Sequence, residues 1–267
     1  MKEKALKRYW KVYKIFFSNS VSYTAQFRAE NIMRIFLNAA WILSLFLTVE
    51  IVFGQTNNLG GWQKSEVYLL MLVWVLADEV WGFLVGGNLQ EIGELIRTGD
   101  MDFRLTKPIS ALFAISVNHI QIRSIMRFFV DILFIIFIIL KFNIHLNIIN
   151  IFIAIILLLA AMVILYAFEI VISSLSFWTI KNDAIYELYG RIFQFGKFPL
   201  DVFPKTLKII FLTAIPVAFT TYVPTAALFG KWPWYGTIYV FAFAALSLFS
   251  ALKFWNFALK KYSSASS

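Results

Sequence analysis

The chain has 267 residues, of which 60% are hydrophobic and only 15% are charged, whereas soluble globular proteins average about 25% charged residues. This composition indicates an integral membrane protein rather than a soluble domain. The net charge of +9 does not indicate a nucleic-acid partner, because the basic residues gather at the start, at the edges of apolar segments and at the end, where anionic headgroups favour them. Cysteine is absent, which excludes a disulfide framework, a thiolate metal site and a cysteine nucleophile.

Residues 1–22 are predicted to form an amphipathic helix that lies in the membrane interface. A solvated basic tail is the alternative. The basic start is not followed by a compact apolar region with a cleavage site, so we expect no cleavable signal and a cytosolic N-terminus. The apolar residues recur at helical spacing, and the basic residues fall mostly on the other side: Leu6, Tyr9, Trp10, Tyr13, Phe16 and Phe17 against Lys4, Lys7, Arg8, Lys11 and Lys14.

Five apolar segments that follow have the length of about 20 residues that a transmembrane helix needs. The second of them ends in GFLVGG (82–87), a small-xxx-small pattern that favours close helix approach. The segments are Met33–Phe53, Glu66–Gly87, Ile115–Leu140, Ile148–Phe177 and Tyr235–Trp255.

The region between the fourth and the last segment, residues 178–234, allows two interpretations. Hydropathy and the charge rule favour a span at Leu207–Phe229, but Pro216 and Pro224 interrupt that segment, and proline favours a helix break. The other interpretation places the fifth span at Asp183–Val202 and folds residues 204–230 into a re-entrant hairpin. Irregular backbone at that depth requires burial in protein or a wet cavity.

Both interpretations predict six spans with both termini in the cytosol. The lysines of the tail, residues 260–267, agree with this orientation, as do the short and weakly charged outer loops. The predicted fold is therefore an all-α integral membrane protein with six transmembrane helices in residues 23–259 and the interfacial helix before them. A polar element at residues 88–111 lies on the cytosolic side.

That element contains ELIRTGDMDFRLTKP, Glu94 to Pro108, with six charges in fifteen residues. Its front half shows the apolar spacing of an amphipathic helix, Gly99 is a helix stop, and Pro108 precedes the next helix. These features favour a docking element for a protein partner over a plain solvated loop, which is the alternative.

Charges inside apolar segments are costly, by about 2.5–3.5 kcal/mol each, and are candidates for function. Asp78 and Glu79 lie near the middle of the second span, and Glu169 lies in the inner half of the fourth. We interpret them as acids that line a substrate path, or as structural partners of basic groups on other helices. Two further sets have i, i+4 spacing and so share a helix face: Arg123, Arg127 and Asp131, and Asp183, Glu187 and Arg191.

No catalytic or metal-binding pattern is visible. GRIFQFGKF has five residues between its glycines and lacks the Ser or Thr after lysine that a P-loop needs. The two histidines, His119 and His145, have no metal-ligand spacing. These observations predict no enzyme, no metal and no cofactor in this chain. An ion-coupled carrier that uses Asp78, Glu79 and Glu169 remains an alternative class, although such carriers are often built from repeats, and none is visible.

The order of parts resembles the permease subunits of ABC-2-type exporters, and two motifs carry the resemblance. LIRTGDMDFRLTKPIS is similar to the family pattern G-x-(L/M)-D-x-x-L-x-x-P. FPKTLKIIFLTAIPVAFTTYVPTAALFG is similar to its proline-marked segment before the last span. The residues that match are Gly99, Met101, Asp102, Leu105 and Pro108 in the first motif, and Pro204, Leu207, Ile215, Pro216, Val217, Ala218, Phe219, Tyr222, Pro224 and Gly230 in the second.

The resemblance implies a permease of the bacterial cytoplasmic membrane that pairs with a second permease, identical or related, and with separate ABC ATPase subunits that bind ATP and Mg. It also favours the re-entrant interpretation of residues 204–230. It implies three sets of site residues: Glu94, Gly99, Asp100, Asp102, Arg104 and Pro108 for ATPase coupling; Asp78, Glu79, Glu169, Glu187 and Arg191 along the translocation path; and Pro204, Pro216, Phe219, Tyr222 and Pro224 at a re-entrant gate.

Overall fold

The computed structural model describes residues 2–179 and 182–262, and within these ranges the fold is all-α. Short 3-10 turns at Asn88–Glu91, Gln194–Lys197 and Leu200–Val202 join some of the helices. The predicted tail beyond Tyr262 lies outside the described residues. The helices are α1 (Lys2–Gln26), α2 (Arg28–Phe53), α3 (Lys64–Leu84), α4 (Ile92–Thr98), α5 (Asp100–Leu105), α6 (Ala111–Ser116), α7 (Ile122–Lys141), α8 (Ile148–Ser174), α9 (Ser176–Thr179), α10 (Asp183–Phe193), α11 (Lys205–Thr213), α12 (Val217–Thr220), α13 (Tyr222–Leu228) and α14 (Trp234–Leu259).

Four described helices are long and apolar enough to cross a membrane: α2, α3, α8 extended through α9, and α14. A fifth is added if α11 and the α12–α13 unit, which meet at a bend of 75°, count as one broken span. The multi-pass membrane architecture is thus confirmed. The predicted count of six spans is not reached by helix length and composition.

Two segments account for the difference. α7 has 20 residues, enough to span, but Arg123, Arg127 and Asp131 interrupt its apolar surface. The predicted fifth span, residues 183–202, is not one straight helix, because α10 ends at Phe193 and 3-10 turns follow. At about 1.5 Å per residue, the 11 residues of α10 cover about half of the roughly 30 Å hydrocarbon core.

The bundle has two ends, which we name by one residue each. The Gly99 end contains the 88–111 element and the start of α10, and the Trp62 end contains the loops before α3, α8 and α14. α3 is the most enclosed of the four candidate spans, with a continuous buried stretch from Glu66 to Val75. It packs against α2 and α7, and α8 packs against α13 and α14.

Local signals in the sequence explain several helix boundaries. The carboxylate of Glu66 accepts the backbone N–H of Gln63 at 2.8 Å and so caps the start of α3. The side chain of Asn147 accepts the N–H of Ile149 at 2.8 Å and caps α8. Gly99 has φ +79° and separates α4 from α5, a left-handed conformation that glycine adopts without a steric penalty.

Candidate functional site

The 88–111 element is a compact set of short helices rather than a solvated loop. Leu89, Ile92 and Met101 are fully buried in a cluster that includes residues of α8 and α14, among them Ile170 and Trp255. Because its apolar side rests on two long helices, a displacement of the element is transmitted to both. The predicted amphipathic character of its first half agrees with this packing.

Asn88 fastens the base of the element, and sequence reasoning missed it. Its buried side chain donates to the carbonyls of Ser116 and His119 at 2.9 and 3.0 Å and accepts the N–H of His119 at 3.1 Å. The chain entering the element at residue 88 is thereby tied to the chain leaving it at residues 116–119. A lone asparagine after two glycines carries no pattern that would indicate this role.

Several residues predicted to contact an ATPase have partners within the chain. Burial and the neighbouring carboxylate of Asp102 raise the pKa of Tyr262, so these two side chains lie close together. Arg104 donates to the side chain of Asn118 at 3.2 Å, and the carbonyl of Pro108 accepts a bond from Arg8 at 2.9 Å. These contacts hold the shape of the element.

The charged residues before them form a local cluster. Arg97 makes an ion pair with Glu94, one helical turn apart, and the hydrogen bond to Glu94 raises the pKa of Arg97. The Asp100 carboxylate accepts a bond from Thr98 at 2.8 Å across the Gly99 turn. Glu94 and Asp100 are exposed, so their outer surface is accessible to a partner.

Of the residues in the 88–111 element, Phe103 best fits the predicted role of docking a protein partner. It was not among the residues singled out from the sequence. It is 71% exposed, on the same short helix as Asp102 and Arg104. A large apolar side chain in a charged run was the signal available, because exposed aromatic residues at the centre of a polar surface are typical protein-contact anchors.

The interfacial helix α1 is attached to this element. The hydroxyl of Tyr9 accepts the N–H of Ser110 at 3.0 Å, and the Tyr9 ring packs edge-on against Phe113 at 4.8 Å. Further along α1, the hydroxyl of Ser20 accepts the N–H of Ile120 at 3.1 Å. α1 is therefore joined to the 88–111 element at Ser110 and to the loop after α6 at Ile120.

The predicted path acids do not form one cluster. Glu79 is buried and makes an ion pair with Arg127 at 2.9 Å, and Asp131 of the same α7 face accepts a bond from Asn38 at 2.8 Å. Glu169 is buried and accepts a bond from Trp81 at 3.2 Å. Glu79 thus has the basic partner on another helix that the alternative interpretation expected, whereas the partner of Glu169 is an indole N–H and not a basic group.

Asp78 differs from these acids because its side chain is exposed and lines a groove of about 240 Å³ between α2, α3 and α7. Trp41 and Trp74 also line this groove. The ammonium group of Lys197 lies 5.1 Å from the ring centroid of each tryptophan, within the range of a cation–π contact. Lys197 was not among the predicted site residues, and its contacts depend on tertiary structure.

Glu187 and Arg191 form an i, i+4 ion pair at 2.6 Å, with 67% and 76% of their side chains exposed. None of the residues of α10 is buried. The pair lies on the surface of the chain and does not face the bundle interior, in contrast to Glu79 and Glu169.

Asp201, another residue that sequence reasoning missed, anchors the 204–230 segment at the Trp62 end. Its carboxylate accepts bonds from Trp62 Nε1 at 2.9 Å, Tyr222 at 3.0 Å and Lys208 at 3.0 Å. These three donors, one of which is a lysine, stabilise the charged form of the carboxylate.

The predicted gate residues lie at the turning points of the segment. Pro204 precedes α11, and Pro216 precedes α12 at the 75° bend. Pro224 lies in the first turn of α13, where proline is tolerated. Phe219 is fully buried and stacks on Phe243 of α14 with ring centroids 5.1 Å apart.

The loop before α3 and the first turn of that helix contact the chain on both sides of the 204–230 segment. Just before the segment Asp201 bonds Trp62 in the loop, and just after it Lys231 pairs with Glu66 in the first turn of α3 at 2.6 Å. The bend between α11 and α12 lines a cavity of about 300 Å³ together with residues of α8 and α14, including Phe243 and Ser247, which lie near the middle of α14.

Comparison with known proteins gives one match. A sequence model of the family described as "ABC-2 family transporter protein" matches residues 39–266, which include both motifs, the 88–111 element and the 204–230 segment. No curated protein matches the chain significantly. The family match covers most of the sequence, and the multi-pass helical architecture agrees with it. This chain belongs to the ABC-2 family of transporter proteins.

Proposed function

We propose that the chain is the transmembrane permease subunit of an ATP-driven exporter, which forms a translocation path with a second permease and couples to separate ATPase subunits. ABC-2 permeases are membrane transport components that work with ABC ATPases in general. The exporting direction, the paired permease and the coupling residues are the specific content of the proposal.

The packing of the 88–111 element is the observation that carries this proposal. One side of it is buried against α8 and α14, and the other side presents Phe103 and the charged pair Glu94–Arg97. An ATPase that dimerises on ATP and presses on this outer surface would move the inner ends of two long helices. α1, fastened through Tyr9 and Ser20, would move with the element.

The exposed surface of α10 supports the proposal that this chain pairs with a second permease. Charges on a lipid-facing surface within a membrane are costly, and Glu187 and Arg191 are exposed on a helix that buries no residue within this chain. Contact with a second copy or a related chain across a wet path would place this pair in a polar environment. The path would then continue along the groove that contains Asp78.

The contacts of Asp201 and Lys231 support the re-entrant topology. In this topology residues 183–202 cross the membrane as a broken span from the cytosolic Gly99 end, and the 204–230 segment forms a gate at the outer face. The chain contains no cysteine, so Asp183→Cys and Lys205→Cys, both at exposed positions, can be labelled singly in cells with a membrane-impermeant maleimide. We expect outside labelling at residue 205 only; labelling of both positions from one side would contradict this topology.

Coupling is tested at Phe103. We expect Phe103→Ser to abolish copurification of the ATPase and substrate-stimulated ATP hydrolysis, because it removes the apolar anchor from the outer surface. Tyr262→Phe is the matched control, since it removes a hydroxyl from the residues after α14, where Tyr262 lies beside Asp102 of α5, and leaves the outer surface unchanged. Retention of the ATPase by Phe103→Ser at wild-type levels would refute the docking assignment.

ATP and Mg are assigned to the partner ATPase in this proposal, because no nucleotide motif is present in the sequence. The proposal places the complex of permeases and ATPases at the bacterial cytoplasmic membrane, with both termini of this chain in the cytosol. Vanadate, which traps ABC ATPases, should then alter transport by the assembled complex, whereas transport driven by a pH gradient with no ATPase present would favour an ion-coupled carrier.

A further inference from the structure

A cavity of about 790 Å³ lies at the Gly99 end between the second half of α1, the start of α2 and the beginning of α7. It is separate from the exposed surface around Phe103 and from the 204–230 segment. The permanently charged side chains that line it are Arg34, Arg123 and Arg127, and no carboxylate is among its lining residues. Hydroxyl and amide groups complete its polar wall, from Asn19, Ser20, Tyr23, Thr24, Asn118 and Gln121. We call it the arginine cavity.

Acids outside the lining orient these arginines. Glu30 accepts bonds from Arg34 at 2.9 Å and Arg123 at 2.7 Å, and Glu79 pairs with Arg127 through Nη2 at 2.9 Å. A guanidinium has five N–H donors, so one acid does not use all of them. The Nε of Arg127 is buried and has no hydrogen-bond partner within the part of the chain that the structure describes.

Three oriented guanidiniums with hydroxyl and amide donors around them match the chemistry of a phosphate group, which accepts several charge-assisted bonds at once. Arg34 and Arg123 share one carboxylate, Glu30, whereas Arg127 lies beside the acids Glu79, Asp78 and Asp131. The Arg34–Arg123 pair therefore keeps one positive charge, which the single negative charge of a phosphodiester would neutralise.

The position of the cavity favours a lipid as the source of the phosphate. It lies where an amphipathic helix with exposed aromatic residues such as Trp10 meets the first spanning helix, which is the depth of the headgroups. Beside it, α2 exposes Ile32, Met33 and Phe36, an apolar surface suited to acyl chains. We infer that the arginine cavity binds the phosphate of an anionic phospholipid, with the acyl chains along α2.

A bound headgroup would stabilise the junction that joins α1, α7 and the 88–111 element. Two residues of the loop that lines the cavity already make such contacts: the N–H of His119 bonds Asn88, and the N–H of Ile120 bonds Ser20. A ligand that contacts α1, this loop and α7 together adds a further connection. The inference does not depend on the cargo or on the direction of transport.

The test uses the purified full-length chain with its copurifying subunits, delipidated in detergent. Phosphatidylglycerol is titrated against phosphatidylcholine of the same acyl chains, and bound lipid is counted by native mass spectrometry while thermal unfolding is recorded. We expect saturable binding and stabilisation by phosphatidylglycerol only. Arg123→Gln should weaken this binding about tenfold or more, because it removes charge-assisted bonds to the phosphate; it leaves Glu30 paired with Arg34.

A second variant and a charge-matched control keep the test decisive. Asn19→Glu places a negative charge in the cavity without breaking a pair of oppositely charged residues and should also weaken binding. Lys141→Gln loses one positive charge at the opposite end of α7, outside the cavity, and should bind phosphatidylglycerol as the wild type does. Equal binding of the two lipids, or wild-type binding by both cavity variants, would overturn the inference. Stabilisation by inorganic phosphate with no preference for phosphatidylglycerol would assign the cavity to a soluble anion and overturn the lipid assignment.

Discussion

The hydrogen bonds of Asp201 hold the 204–230 segment in its closed position against the Trp62 end. A substitution that weakens these bonds should therefore make opening of the segment measurable. Asp201→Asn preserves the side-chain volume but leaves one acceptor oxygen and no charge, while three donors from Trp62, Tyr222 and Lys208 still converge on the site. At least one bond to a charged acceptor is lost, at about 1.5–3 kcal/mol. Because the Asp201 side chain is 34% exposed, water replaces part of the loss, and we expect closure to weaken by about 2 kcal/mol.

A change of this size corresponds to a roughly 30-fold larger population of the open segment. Ala218 is buried in the closed segment, so Ala218→Cys in the cysteine-free chain reports opening through its rate of reaction with a membrane-impermeant maleimide. We expect Asp201→Asn to raise that rate about 30-fold. This measurement needs no knowledge of the transported substrate.

Glu50 provides the matched control. Its carboxylate also accepts bonds from a lysine and a tyrosine at the Trp62 end, Lys64 and Tyr68, but it joins α2 to α3 and does not contact the 204–230 segment. Glu50→Gln should therefore leave the labelling rate at residue 218 unchanged. Equal acceleration by both variants, or an unchanged rate in Asp201→Asn, would refute the assignment of Asp201 as the anchor of the segment.

Two further predictions follow from particular contacts. Asn88→Leu should lower the unfolding free energy by about 3 kcal/mol, seen in the thermal midpoint, because the buried carbonyl of Ser116 and the partly buried backbone groups of His119 lose their partner. Gly86→Ala should destabilise by about 2 kcal/mol or more, because Gly86 has φ +61° and an added Cβ would lie 2.8 Å from the His119 carbonyl. Gly190→Ala, where nothing lies within 4 Å of an added Cβ, should be neutral in the same assay.

Properties that are local in the sequence were predictable. The aromatic spacing of α1, the long apolar segments and the stop at Gly99 each depend on residues a few positions apart, and the structure has the corresponding helices. The prolines at 204, 216 and 224 correctly marked the breaks, because the loss of a backbone donor acts locally.

Contacts between distant residues were not predictable. The bonds of Asn88 to the backbone of residues 116 and 119 and of Asp201 to Trp62 join groups that no periodicity relates. The difference between the six predicted spans and the four or five that helix length and composition support has a related reason. α7 carries charges that hydropathy penalises, and their partners, Glu79 for Arg127 and Asn38 for Asp131, lie on other helices.

The loop before α3 and the first turn of that helix hold the chain on both sides of the 204–230 segment, which has a consequence for how the segment moves. Trp62 in the loop and Glu66 in α3, four residues apart, bond Asp201 and Lys231 respectively. A shift of this short stretch that loosens one attachment displaces the other, so the two would release together. Opening would then be cooperative, with few half-open states, and the segment would behave as a two-position valve rather than a graded constriction.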